Sequence, residues 1–243
     1  MFGLGTIINV STVIVGGIFG MLFGKRITDR FRDTLVKAMG VCVLFIGISG
    51  ALQYTYSIID GKLESKGTMM MIFSIAIGAL AGELLNIEGA FERFGEWLKR
   101  VSKSDGDNRF VDAFLTTSFT VCIGAMAIVG SLQDGMTGDY STLLTKSILD
   151  CVMVMLMTSS MGKGCIFSAV PIFILQGGVT LLARFISPIM TETALSNLSL
   201  VGSVLIFCVG LNLVWGKTIK VANLLPSIIV AVAWAFLPFE FLK

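Results

Sequence analysis

Histidine is absent from all 243 residues. That absence removes imidazole zinc sites, H-E-x-x-H hydrolysis and Ser-His nucleophiles together. Charge is scarce: 14% of residues are Asp, Glu, Lys or Arg, against about 25% in soluble domains. There is no Walker A loop and no G-x-S-x-G. "MTGDY" contains a Gly-Asp pair but lacks the G-x-G-D of intramembrane aspartyl proteases. Cys42, Cys122, Cys151, Cys165 and Cys208 stand singly in apolar stretches without C-x-x-C spacing. They read as small core residues rather than disulfides or ligands. No basic patch interleaved with aromatics addresses nucleic acid. No enzymatic activity, cofactor or metal site is expected.

What the chain has is apolar length. It is 55% hydrophobic with 27 glycines and only 4 prolines, and its apolar runs reach the roughly twenty residues that cross about 30 Å of hydrocarbon. The expected spans are 4–23, 38–58, 68–87, 111–132, 143–161, 165–183, 197–215 and 221–241. The reading is an all-α, polytopic transmembrane bundle of about eight spans, one membrane domain over 1–243. The weakest boundary is "TSSMGKGCIFS", where a re-entrant hairpin over 143–185 is the alternative. No basic region precedes the first span, unlike a cleavable signal peptide.

The bases are placed unevenly. Loops after the odd-numbered spans hold Lys25, Arg26, Arg30, Arg32, Lys37, Arg93, Lys99, Arg100, Lys103, Arg109, Lys163, Lys217 and Lys220. The other loops and the C-terminus hold Lys62, Lys66, Arg184 and Lys243. Thirteen against four is a positive-inside pattern that puts both termini outside.

Two of the base-rich loops show helical periodicity. Ile27, Phe31, Leu35 and Met39 recur every four residues, and Phe91, Phe94, Leu98 and Val101 at three and four. Residues 27–39 and 90–101 are therefore expected as interfacial helices. "DRFRDTLVK" also reads against "ERFGEWLKR", and each follows a Gly-xxx-Gly span, Gly16/Gly20 and Gly78/Gly82. Such glycines let helix backbones approach closely. A fainter copy follows "QGGVTLLARF", in which "TETALSNL" stands for "TDRFRDTL" and "CVGLNL" for "FIGISG". The repeat units are about 6–52, 68–130 and 168–214, the last inverted relative to the first. Inverted copies are a common plan of secondary transporters.

The stretches "GALAGELLNIE", "CIGAMAIVGSLQDGMTGDYSTLLTKSILD" and "GKGCIFSAVPIFILQGGVTLLA" resemble the bacterial membrane-protein family called domain of unknown function 554, over nearly the whole chain. The resemblance implies a multi-pass protein of the bacterial plasma membrane, loosely described as a transporter. It brings no catalytic or ligand residue with it.

The site candidates therefore come from polar residues inside the spans, where an ionisable group costs about 2.5–3.5 kcal/mol on insertion scales. They are Glu83, Asp112, Lys146 and Asp150, with Asp112 at a span end. Lys146 and Asp150 are four apart and share a helical face. Two readings stand side by side: a charged pair lining a polar pathway, or Lys146 reaching outward while Asp150 satisfies a neighbouring helix. Gln133 sits at the mouth of span four, and Ser118 lies in "LTTSFT". Gln176 precedes Gly177–Gly178, with Pro171 upstream to loosen the helix. Asn9, Ser11, Thr12 and Asn212 read as helix bridges.

The leading expectation is a secondary transporter or channel for a small polar solute or ion. Lys146 would anchor an anion or pair with Asp150. Asp150 or Glu83 would carry the coupling ion, and Gln133, Gln176 and Ser118 would orient the solute. The alternative is a non-transporting scaffold whose buried polar groups are structural. Expected partners are membrane lipids and the solute, with homo-oligomerisation open through the glycine faces.

Overall fold

The computed structural model describes residues 3–24, 28–59, 62–104, 106–122 and 125–237. The chain forms α1 (Leu4–Gly24), α2 (Asp29–Thr55), a β-hairpin of β1 (Tyr56–Ile59) and β2 (Lys62–Ser65), α3 (Thr68–Leu85) and α4 (Ile87–Val101). Next come α5 (Phe110–Cys122), α6 (Ala125–Thr137), α7 (Ser141–Met161), a 3-10 turn (Lys163–Ser168), α8 (Ala169–Leu181) and α9 (Ala183–Ile186). The chain ends in α10 (Glu192–Trp215), α11 (Val221–Leu224) and α12 (Pro226–Trp234).

Among the described residues six helical segments are long and apolar enough to cross a membrane, and the bent pair α5–α6 makes a seventh if it counts as one span. The outer faces of the bundle are apolar, and its interior combines an apolar core with buried polar groups. Ile7, Phe19, Phe45, Leu80 and Ile148 are exposed, while Asn9, Ser74, Lys146, Asp150 and Gln176 are buried. In hydrocarbon the exposed apolar faces cost nothing, and the interior is where polar groups find partners. The central helix is α10, more than half buried over its apolar window.

Glycines set the helix pairings. Gly16, Gly20 and Gly24 lie every four residues along α1, against the carbonyls of Cys151, Met155 and Ser159 on α7. A methyl group at Gly20 would lie 2.3 Å from the Met155 oxygen. Both series ascend, so α1 and α7 run parallel. On α2, Gly47 meets the backbone of Phe207 and Gly50 the Ser203 side chain, while Gly210 of α10 meets the backbone of Leu44. These helices run antiparallel. So do α3 and the α11–α12 segment, where Gly78 sits on Ser227 and Gly82 on Asn223.

The ends of α5 and α6 are fixed as well. Phe110 opens α5 beside Gly164, near where α7 ends. Asp134, near the end of α6, binds the first backbone amides of α1. The two helices meet at 63°, yet together they run the length of α1 in the opposite sense.

Three local expectations are corrected. Residues 29–39 form no separate interfacial helix but the first turns of α2, which continues unbroken to Thr55. Their apolar spacing simply continues the span that follows. Residues 56–58, expected at the end of span two, begin the hairpin, since the β-branched run after Tyr56 pairs with Lys62–Ser65. Span 111–132 is broken rather than straight. Lys25, Arg26, Ile27 and 238–243, parts of other expectations, lie outside the described residues.

The second amphipathic segment does form its own helix, α4, capped by Asn86 through the Gly89 amide. Its apolar face turns inward rather than to lipid. Phe91 packs edge-on against Phe119 at 5.4 Å and Phe94 against Phe114 at 5.9 Å.

Candidate pathway through the bundle

The charged pair is built from one helix and held directly by two others, with a fourth behind them. Four-residue spacing on α7 puts Lys146 one turn from Asp150, and Lys146 Nζ lies 2.6 and 2.8 Å from the two carboxylate oxygens. The same ammonium donates to the Val121 carbonyl at 2.7 Å. Val121 is in the last turn of α5, where carbonyls lose their helical donors, so the break beside it supplies an acceptor. From α1, Asn9 Nδ2 donates to Asp150 Oδ2 at 3.0 Å and to Gln176 Oε1 of α8 at 3.2 Å. All four residues are at most 7% exposed.

Lys146, Asp150 and Gln176, selected from sequence, thus converge through Asn9. Asn9 had been read as a helix bridge, and it is one; its contact with the carboxylate, 141 positions away, has no local signature. An amide in an otherwise uncharged span was the available signal.

The other candidates fall elsewhere. Gln133 Oε1 accepts from Thr142 Oγ1 at 2.7 Å and ties α6 to α7. Its neighbour Asp134 is fully buried and accepts from the Gly3 and Gly5 amides, a carboxylate on a helix N-terminus. Glu83 lies at the opposite end of the bundle, bonded to Lys220 at 2.7 Å and to Asn223. Ser118 is buried and lines a small, mostly apolar cavity of about 170 Å³ with Phe91, Phe119, Cys122 and Pro171.

That end of the bundle, where α1 and α7 finish, also carries an ordered polar layer. The Glu88 amide donates to Asn223 Oδ1 at 2.7 Å, and Glu88 Oε2 accepts from the Ala222 amide at 3.0 Å, so α4 and α11 cap each other. Lys217 bridges Glu88 and Glu92. Partial burial opposes its charge, but Glu92 and Glu88 outweigh it and hold the ammonium above the usual lysine range. Beside this layer a cavity of about 420 Å³ opens between α2, α5 and α10, lined by Arg109, Asp112, Thr116, Phe119, Asn212 and Lys217 among others. Phe119 lines both cavities. Cys122 then adjoins Val121, whose carbonyl holds Lys146.

Beyond the pair, toward the N-terminal end of α1, five buried polar atoms have no hydrogen-bond partner among the described residues: Thr6 Oγ1, Asn9 Oδ1, Ser131 Oγ, Gln176 Nε2 and Thr180 Oγ1. They belong to α1, α6 and α8, which pack on one another. Buried polar groups are normally satisfied by protein or ordered water, so this seam has capacity for water or solute.

These features define a multi-pass membrane protein with a polar interior threaded between broken helices. The chain belongs to the family described as "Protein of unknown function (DUF554)", whose model matches residues 4–236. It is 32% identical over 226 residues to the "Uncharacterized membrane protein YdfK" of Bacillus subtilis (strain 168), covering 93% of each chain. It is 27% identical over 232 residues to the "Uncharacterized protein YqgA" of Escherichia coli (strain K12), covering 94% of each. No solved structure matches it.

Proposed function

We propose that this protein is a secondary transporter or channel for a small polar solute or ion in the bacterial plasma membrane. One observation carries the reading: a Lys–Asp pair buried in the bundle, bound by an amide from a second helix and by the carbonyl of a broken third. Intramembrane ionisable groups are expensive and usually mark ion or solute pathways. Broken helices at membrane depth are tolerated where they are buried in protein or line a cavity.

Three further features support it. The parallel α1/α7 pair and the antiparallel α2/α10 and α3/α12 pairs agree with eight alternating crossings. Gly47 and Gly210, equivalent in the inverted alignment of 6–52 with 168–214, approach each other's helices reciprocally, Gly47 at Phe207 and Gly210 at Leu44. The bases gather at the end holding the 420 Å³ cavity, which supports a cytoplasmic mouth with both termini outside. The route then runs from this mouth past Phe119 and Ser118 to Lys146 and Asp150, and outward along the Asn9–Gln176 seam. Asp150 is the coupling carboxylate. Glu83, tied to Lys220 and Asn223, guards the mouth.

A second reading is favoured by a specific observation. Neither of the two cavities includes Lys146 or Asp150, and the pair's side chains are only 9% and 8% exposed. A scaffold with a structural pair would be sealed in this way. Proteoliposomes on a solid-supported membrane decide between them. Jumps in Na⁺, K⁺ or pH should evoke currents that vanish in Lys146→Met/Asp150→Leu at unchanged folded yield. Silence of the wild type in every gradient, or currents indifferent to the double variant, refutes the transport reading.

A further inference from the structure

The cavity at the base-rich end has a lining that selects for charge. Five ionisable side chains reach it: Asp33, Glu88, Arg109, Asp112 and Lys217. Three are committed. Asp33 pairs with Lys37 at 2.9 Å, and Glu88 and Lys217 pair with each other at 3.1 Å. Arg109 and Asp112 remain, and neither side chain has a hydrogen bond or ion pair among the described residues. Arg109 immediately precedes α5 and Asp112 lies in its first turn, three residues on; both are exposed, one positive and one negative, without closing on each other.

We propose that this cavity binds a small zwitterion with an apolar tail, of the kind an aliphatic α-amino acid presents. Arg109 takes the carboxylate with its planar fork of donors, and the first turn of α5 favours the same negative charge. Asp112 takes the ammonium. The Thr116 hydroxyl, one turn further along α5, is a second acceptor for it. Beyond these groups the wall is mostly apolar, with Leu115, Phe119, Met161, Val209 and Leu213, and also holds Ser160 and Asn212. The volume of about 420 Å³ lies within the roughly 300–1,000 Å³ of small-molecule sites. An anion alone would leave Asp112 facing it, and a cation alone would face Arg109. That the bound molecule then passes Phe119 toward Lys146 rests on the transport reading; the binding itself does not.

The test is calorimetry on the purified full chain with three probes of like shape: L-leucine, isovalerate and isopentylamine. L-Leucine should bind at least about tenfold more tightly than either singly charged probe. Arg109→Gln and Asp112→Asn should each remove most of that advantage. In Asp112→Asn isovalerate should come level with leucine. The proposal is overturned if leucine has no advantage over the other two in the wild type, or if both variants keep it. The readout involves no transport, so failure here leaves the currents of the ion-pair test unaffected, and loss of those currents leaves this binding intact.

Discussion

Removing one member of the buried pair should harm the fold far more than removing both. In Lys146→Met the Asp150 carboxylate keeps only the Asn9 amide, and the Val121 carbonyl loses its donor. An uncompensated charge in such a place costs about 3–5 kcal/mol. Asp150→Leu strands the ammonium on the Val121 carbonyl alone, at a similar cost. The double variant Lys146→Met/Asp150→Leu leaves no charge behind. Asn9 still reaches Gln176, so the residue of the damage is the Val121 carbonyl, about 1–3 kcal/mol. The singles should therefore sum to about 6–10 kcal/mol and the double should cost no more than either single. The assay is equilibrium unfolding in mixed micelles titrated with SDS, followed by tryptophan fluorescence. A double variant as damaged as the sum of its singles would refute the coupling, and with it the pairing.

Gly20→Ala and Gly82→Ala should destabilise by about 1–3 kcal/mol, because the new methyl meets backbone oxygens of Met155 and Asn223 at 2.3 and 1.9 Å. Gly178→Ala, with open space around it, should be neutral or gain up to about 1 kcal/mol of helix propensity; the same SDS titration reads all three. Phe94→Asp should reduce folded yield more than Phe31→Asp, since Phe94 packs on Phe114 whereas Phe31 is exposed on the first turns of α2; equal losses in size-exclusion yield would contradict the inward-facing α4. For Lys217, a pKa held above the ordinary lysine value of 10.5 means that its contribution is complete below that value and lost as pH rises through the higher folded one. Thermal stability of the wild type should accordingly fall more steeply than that of Lys217→Met above this range, and parallel alkaline limbs would count against the Glu88–Lys217–Glu92 bridge.

Much of the bundle was legible because apolar length needs no tertiary information: α1, α3, α7 and α10 follow the expected runs closely. Breaks were harder to read. Hydropathy is indifferent to a stop after Cys122, since both sides of it are equally apolar. Periodicity misled at 29–39, because a helix that projects beyond a span keeps the span's own spacing. In α4 the same signal was right about the helix and silent about its partner; facing Phe119 and Phe114 looks like facing lipid when only the apolar stripe is visible. The pair itself was legible from i, i+4 spacing alone. Its partners were not, because Asn9 reaches it from a distant helix and is itself tied to Gln176 on another, and the Val121 acceptor is a backbone atom exposed by a break. Glu83 and Ser118 were chosen for residue type and depth: the end of the span that Glu83 occupies was legible, but its partners Lys220 and Asn223 and the face that Ser118 occupies were not.

The claim that matters most is that water reaches position 150 during the working cycle. Cysteine is placed there with Lys146→Met, so that no charge is stranded, in a protein lacking Cys42, Cys122, Cys151, Cys165 and Cys208. A small membrane-impermeant thiol reagent is then added from each side of sealed vesicles. Reaction is expected, slower than at an exposed loop cysteine because Asp150 is only 6% exposed in the closed bundle. Cysteine at Val154, one turn deeper and fully buried, should react more slowly still, and cysteine at Val152, on the exposed outer face of α7, should hardly react because hydrocarbon surrounds it. A folded protein whose position 150 is inert from both sides contradicts the pathway and makes Lys146 and Asp150 a structural pair in a scaffold.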